Sequence, residues 1–256
     1  MTKPVSNIIS SIDNSLIKSV VKLHQSKYRD QEKRFIAEGM RVITSLAASK
    51  MELIQLFVLR ELVKEAPAAL VNAAQKAYIV TDNVMKKISQ SETPSGFLAV
   101  FRQPNYILPS HITDAGLVLA QINDPGNMGT LIRTAAALAL PDVFIVEGCD
   151  VWNHKVIQAS AGTLGMVNIH EITWQELVQK VPAEQLCALV LRNGTPIEKA
   201  EIQNKILVVG NEAHGLPEEW VTRCGHQVVL PMPGKAESLN AAVAGSIALY
   251  CAYLKK

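Results

Sequence analysis

Nowhere in this chain do apolar residues run to the roughly 18 that a membrane-spanning helix needs, although 48% of the 256 residues are hydrophobic. The opening stretch, MTKPVSNIISSIDNSL, has no apolar core of the signal-peptide kind. Cysteine is scarce: Cys149, Cys187, Cys224 and Cys251 stand far apart, without CxxC and without a histidine at metal-ligand spacing. That pattern predicts free thiols in a reducing, cytoplasmic compartment and excludes a disulfide scaffold or a zinc module. His24, His111, His154, His170, His214 and His226 include no HExxH, so they are predicted as surface or packing residues and no metal site is expected. No GxGxxG follows the first strand of either half, which removes the common dinucleotide fingerprint; GxxxxGK[ST] and GxSxG are missing too. With 19% charged residues and no low-complexity tract, the chain reads as a soluble globular protein with room for two domains.

Net charge is only +2, but it is unevenly spread. Residues 1–110 hold 15 Lys/Arg against 9 Asp/Glu, whereas residues 111–256 hold 10 against 14. Such asymmetry suggests that the first half meets a polyanion. Residues 1–50 alone carry 9 basic and 4 acidic residues, among them Lys22, Lys27, Arg29, Lys33, Arg34 and Arg41. Tyr28 and Phe35 lie between them and can either stack on bases or pack.

Two patterns of periodicity divide the chain. In residues 1–105, helical spacing in NSLIKSVVKLHQ and AEGMRVITSLAAS alternates with β-like runs at 53–59, 77–80 and 96–101. TDNVMKKIS starts another helix, and the sum predicts a small α/β domain. RQPNYILPSH supplies a linker, placed at 106–114. Residues 115–256 alternate regularly. Strands are predicted at 116–122, 142–146, 166–170, 186–191, 205–210 and 226–231, and helices at 127–140, 154–160, 173–181 and 238–253. Continuous apolar strands alternating with helices indicate a parallel sheet covered on both faces.

In such sheets ligands bind beyond the C-terminal ends of the strands, and three loops there are unusual. In NDPGNMGTLIRTA (123–135), Asp-Pro-Gly-Asn is turn chemistry, Asn127 can cap the helix, and Arg133 follows within two turns. In VVGNEAHGLP (208–217), Gly210 ends a strand where backbone approaches closely, and Glu212 precedes a turn. In LPMPGKAESLNAAVAGSIALY (230–250), two prolines and a glycine feed a helix that has Ser238 and Asn240 at its mouth. Only one of those two can serve as the cap.

Together the three loops resemble, in order, the three motifs of the SpoU (TrmH-type) branch of the SPOUT RNA ribose methyltransferases. KYRDQEKRFIAEGMRVI and SETPSGFLAVF resemble that family's substrate-binding extension, which has a ribosomal-protein-like fold. One departure is Ala241-Ala242 after Ser-Leu-Asn, where the family often has Val-Ser. The resemblance implies a C-terminal domain with a deep trefoil knot, an exception to the rarity of knots. It implies S-adenosylmethionine as cofactor, held around Gly210, Leu230, Met232 and Leu239, and a homodimer. It also implies a reaction site of Asn127, Arg133, Glu212, Ser238 and Asn240. Carried over, Arg133 grips a phosphate and the ribose 2′-hydroxyl, Asn127 and Ser238 orient the hydroxyl, and Glu212 and Asn240 brace them. The substrate implied is RNA, with ribosomal RNA preferred over transfer RNA because a basic extension suits a large folded target. A non-catalytic RNA-binding protein of the same fold is the alternative that cofactor titration separates.

Overall fold

The computed structural model describes residues 7–49, 51–110, 112, 115–235 and 238–254. Contacts divide the chain into two compact units, Met1–Asn105 with Trp152–Gly165, and Tyr106–Val151 with Met166–Lys256.

The first unit is built on a five-stranded sheet: β1 (Asn7–Ile9), β2 (Arg34–Glu38), β3 (Leu53–Leu59), β4 (Lys76–Val80) and β5 (Phe97–Arg102), in the order β1-β4-β3-β5-β2. β1, β4 and β3 run parallel, and β5 is antiparallel to both β3 and β2. The helices are α1 (Ser15–Lys22), α2 (Ser26–Glu32), α3 (Met40–Ala48), α4 (Ala68–Ala73) and α5 (Asp82–Ile88). Asn14 caps α1 by accepting from Leu16 N at 2.9 Å. Ile17 and Val20 of α1 and Val84, Met85 and Ile88 of α5 pack on Ile36, Phe57, Val80 and Leu98 of the sheet. The strand β2 is absent from the sequence pattern. Four of its five residues are buried, so it shows no alternation, and it passes into α3 through Gly39 at φ +90°.

Trp152–Gly165, including the helix α7 (His154–Ala159), belongs to this first unit. Trp152 lies 5.0 Å from Phe35 between ring centroids, and Gln158 donates to the Glu38 carbonyl at 2.8 Å. Glycines let the segment lie close: a Cβ on Gly162 would stand 2.7 Å from the Val42 carbonyl oxygen.

The second unit is a seven-stranded, wholly parallel sheet of β6 (Gly116–Ala120), β7 (Asp142–Val146), β8 (Asn168–Glu171), β9 (Leu186–Val190), β10 (Thr195–Pro196), β11 (Ile206–Val209) and β12 (His226–Val229). Its order is β10-β12-β9-β11-β6-β7-β8. Around it are α6 (Pro125–Ala137), α8 (Trp174–Lys180), α9 (Glu218–Arg223) and α10 (Ala241–Leu254). Trp174 and Trp220 stack at 4.6 Å over a core that includes Val118, Phe144, Ala188 and Val208. From β6 the chain steps outward through β7 to β8, then returns to build the other side, so the winding reverses between β6 and β11. That is where an open α/β sheet forms its crevice. No helix among the described residues is long and apolar enough to cross a membrane.

Candidate active site

Just beyond β6, the chain leaves the sheet at Gln121, which has φ +56°. Four residues on, α6 begins at Pro125, earlier than expected, because Asp124 is its cap: Asp124 Oδ1 accepts from Asn127 N at 2.8 Å. Relieved of the capping role expected for it, the Asn127 side chain bridges two other loops. Its Nδ2 donates to Glu212 Oε1 at 3.0 Å, and its Oδ1 accepts from Asn240 Nδ2 at 3.0 Å. The same Glu212 oxygen accepts from Asp124 N at 3.2 Å.

Glu212 reaches this position through a tight turn after β11. Asn211 and Gly215 exchange backbone hydrogen bonds at 3.1 and 3.0 Å, and Gly215 sits at φ +68°. Asn211 Oδ1 accepts from Ala213 N and His214 N, and its Nδ2 donates to the Gln121 carbonyl at 2.9 Å. Asn211 thus ties the second loop to the first. Sequence reasoning passed over it, although Asn two residues before a turn amide is a known turn signal. Gly210 is where backbone meets backbone: a Cβ there would lie 2.6 Å from the Gly215 carbonyl carbon.

At the third loop the cap of α10 is Asn240, whose Oδ1 accepts from Ala242 N at 2.9 Å and Val243 N at 3.2 Å. Ser238 is free of that duty and lines a cleft with Gly210, Glu212, Leu230, Met232 and Leu239. Leu189 and Val190 at the end of β9, with Leu191 just beyond it, form another wall that the sequence did not reveal. Ala236 and Glu237 lie outside the described residues. Behind the loop, α10 packs closely because Gly245 faces α6 and β11: a Cβ on it would stand 2.6 Å from Leu131 Cδ2. Thr134 and Ser246 hydroxyls meet at 2.8 Å between these helices.

Carboxylates concentrate at this crevice. The Cys149 thiol is pushed up to about 11, by burial first and then by Asp150, Asp124 and Glu212. It lies 3.6 Å from the Met128 sulfur and is therefore no nucleophile near neutral pH.

Arg133 stands apart from this assembly. It is exposed on α6 and does not line the cleft. At 100° per residue it is turned about 120° around the helix from Asn127, so Thr134 and not Arg133 continues the Asn127 face.

In the first unit, Lys22, Lys27, Lys33 and Arg41 are exposed and Arg34 is half-buried. Arg29 differs from expectation. It is only 4% exposed, and its guanidinium donates to the Leu23 and His24 carbonyls at 2.8 and 2.9 Å, closing the end of α1. A side chain committed to those carbonyls is a structural arginine and not an RNA contact. Phe35 is buried between Phe101 and Trp152 and so packs, whereas Tyr28 is half-buried with Lys22 Nζ 5.6 Å from its ring centroid. Among the described residues, no group of three or more His, Cys, Asp or Glu is placed to hold a metal ion.

Known proteins resemble this chain along nearly its whole length. The SpoU rRNA Methylase family matches residues 114–250, and the MRM3-like substrate binding domain matches residues 14–99. The 23S rRNA (guanosine(2553)-2′-O)-methyltransferase RlmP of Bacillus subtilis is 28% identical over 94% of this chain and 97% of its own length. An uncharacterized tRNA/rRNA methyltransferase of Synechocystis is 30% identical over 94% of this chain and 92% of its own. The crystal structure of an AdoMet-bound rRNA methyltransferase from Sinorhizobium meliloti superimposes with a TM-score of 0.84 at 26% identity, covering 96% of this chain and 97% of that one. With two of its strand-end loops lining one cleft, the third hydrogen-bonded to them through Asn127, and more than half its length matched, this chain belongs to the SpoU rRNA Methylase family.

Proposed function

We infer that this protein transfers a methyl group from S-adenosylmethionine to a ribose 2′-hydroxyl of ribosomal RNA, as a cytoplasmic homodimer. The observation that carries this reading is the cleft, whose aliphatic lining from Leu230, Met232 and Leu239 adjoins the Asn127–Glu212–Asn240 network. The site suits the cofactor because Gly215 lines the cleft with nothing within 4 Å of its missing Cβ, which leaves backbone groups on that wall to meet a ligand. When bound there, the cofactor supplies an activated sulfonium methyl, so placing the acceptor in line provides much of the acceleration.

The chain's own residues do the placing. Asn127 has one bond to Glu212 and one to Asn240, so an amide N–H and a carbonyl lone pair remain for a ribose hydroxyl. Ser238 approaches from the opposite loop. Glu212 takes two donors on one oxygen, which fixes the Asn127 rotamer. Arg133 grips the adjacent phosphate with its planar guanidinium fork.

The dimer supports that last role. Leu239, Val243, Ile247 and Tyr250 are exposed large hydrophobics at helical spacing on and just before α10, and Arg133 is exposed on the adjoining α6. In this reading a second copy covers that surface, and Arg133 serves the partner's cleft. The trefoil knot belongs to the same reading, supported by β11 lying between β9 and β6 and by the loop after β12 returning to that crevice.

The test is transfer of labelled methyl from S-adenosylmethionine to ribosomal RNA, with the modified nucleoside identified by mass spectrometry. A 2′-O-methyl nucleoside formed in ribosomal RNA supports the reading. Transfer confined to transfer RNA, or to a base, overturns it.

A further inference from the structure

A second concavity lies in the first unit, on the face of the sheet that α1 and α5 cover. Its walls come from Lys22 of α1, Tyr28 and Glu32 of α2, and Arg34, Gln55 and Val100 of β2, β3 and β5. At its base Arg34 Nε is buried and has no hydrogen-bond partner. That nitrogen is covered, but Arg34 as a whole is only half-buried, so the rest of its planar guanidinium is the donor that a molecule in the concavity can meet. Lys22 Nζ sits over the Tyr28 ring, which fixes that aromatic wall.

The chemistry of the lining narrows what the acceptor belongs to. A phosphate site gathers donors of one sign. Here two cations share the pocket with the Glu32 carboxylate and the Gln55 amide, and the walls include an aromatic ring and Val100. A donor next to an acceptor beside a π-face is what the edge and plane of an unpaired base require. We propose that this pocket takes an extruded, unpaired nucleobase of the RNA substrate, with the half-buried Arg34 guanidinium donating to a base acceptor and Tyr28 packing against the ring. The inference rests on the reading of the first unit as RNA-binding.

The test compares a 12-nucleotide single-stranded RNA with its abasic counterpart of equal charge, by fluorescence anisotropy on the full-length protein. The parent protein binds the abasic strand about tenfold more weakly, within the range for loss of one stacked base. Arg34→Lys keeps the charge and loses the planar donor. It and Tyr28→Ala bind both strands alike, with the salt dependence of Arg34→Lys unchanged and thermal melts confirming the fold. If the parent binds both strands equally, or if both variants still discriminate, the pocket reading is overturned. Methyl transfer to ribosomal RNA is measured in parallel. Base-dependent binding without transfer leaves the pocket standing and removes the proposed reaction, whereas transfer without base dependence does the reverse.

Discussion

Asn240 donates its side-chain amide to Asn127 Oδ1 at 3.0 Å across 113 residues of sequence, while the other end of the same side chain caps α10. One residue thus couples helix initiation to the geometry of the reaction site. Asn240→Asp separates the two roles, because a carboxylate still accepts from Ala242 N and Val243 N but donates nothing to Asn127. Its melting temperature is expected to stay within the equivalent of about 0.5 kcal/mol, and methyl transfer to fall roughly 10-fold or more as Asn127 loses one of two anchors. Asn240→Ala removes the cap as well and costs a further ~1 kcal/mol. Equal transfer rates for Asn240→Asp and the parent would show that the Asn127 orientation is not limiting.

Gly210 is constrained by backbone and not by a side chain that can move. A methyl group there meets Gly215 C at 2.6 Å and Leu216 N at 2.7 Å. Gly210→Ala must therefore open the Asn211–Gly215 turn that aims Glu212. Overpacking of this kind typically costs about 1–3 kcal/mol, and S-adenosylmethionine affinity by calorimetry is expected to drop with it. Gly234→Ala is the control, since nothing lies within 4 Å of a Cβ there. It should melt like the parent.

Much of the second unit was legible in the sequence because its strands are continuous apolar runs between turn residues. Each of the six strands expected there appears within about two residues of its place, and the three unusual loops do follow strand ends. Less was legible where burial erases periodicity, as in β2, or where an element is two residues long, as in β10. Within the site, sequence placed Asn127, Glu212 and Asn240 near the crevice but misassigned the helix cap, since Asp124 and Asn127 are both good capping residues and only the α6 start at Pro125 decides between them. Helical phase also separates Arg133 from Asn127 in a way that proximity in sequence conceals. Whether a basic residue is a surface contact or a structural donor depends on which carbonyls fold around it, and Arg29 is the case in point.

The basic first unit offers a direct contrast. Lys27 and Lys33 are exposed, so Lys27→Glu with Lys33→Glu should weaken RNA binding and flatten the plot of log affinity against log salt. Each lost phosphate contact removes about 0.7–0.9 from the slope. Arg29→Met should leave that slope alone and instead lower stability by ~1–3 kcal/mol, through the unsatisfied Leu23 and His24 carbonyls. A reduced slope for Arg29→Met with an unchanged melt reverses the assignment.

At the far edge of the second sheet, Asp142 accepts from His170 Nε2 at 2.8 Å and from Asn168 Nδ2 at 3.1 Å. Burial raises the Asp142 carboxyl, but the bonds from His170 and Asn168 outweigh it and hold the group below its ordinary value. A depressed carboxyl stabilises the fold above its unfolded value, near 3.8, and that contribution is lost as pH falls through the lower folded value. Asp142→Asn should therefore destabilise the protein by ~1–3 kcal/mol at pH 7 and by progressively less below about pH 4. Urea melts at pH 7 and pH 3 read the difference, and an equal loss at both pH values excludes the ionised Asp142 carboxylate as its source.

Arg133 gives the sharpest division between readings. It is exposed on α6 and outside the cleft lining. If it grips the substrate phosphate across a dimer interface, Arg133→Ala leaves S-adenosylmethionine affinity nearly intact and cuts methyl transfer by roughly 10²-fold. Arg133→Lys restores little, because a point charge cannot reproduce a planar fork that holds phosphate and hydroxyl together. Ile247→Asp, on the exposed apolar stripe of α10, should give a monomer by light scattering that has lost transfer to a similar degree. Mixing Arg133→Ala with a variant crippled in the cleft, such as Asn127→Ala, then tests whether the two defects lie in one site or across two chains. Mixed dimers regain activity if Arg133 serves the partner's cleft, because one of the two sites then has both residues intact. If the residues act within one chain, one subunit lacks Asn127 and the other lacks Arg133, so no complete site forms. Full parent activity in Arg133→Ala alone places the phosphate grip elsewhere.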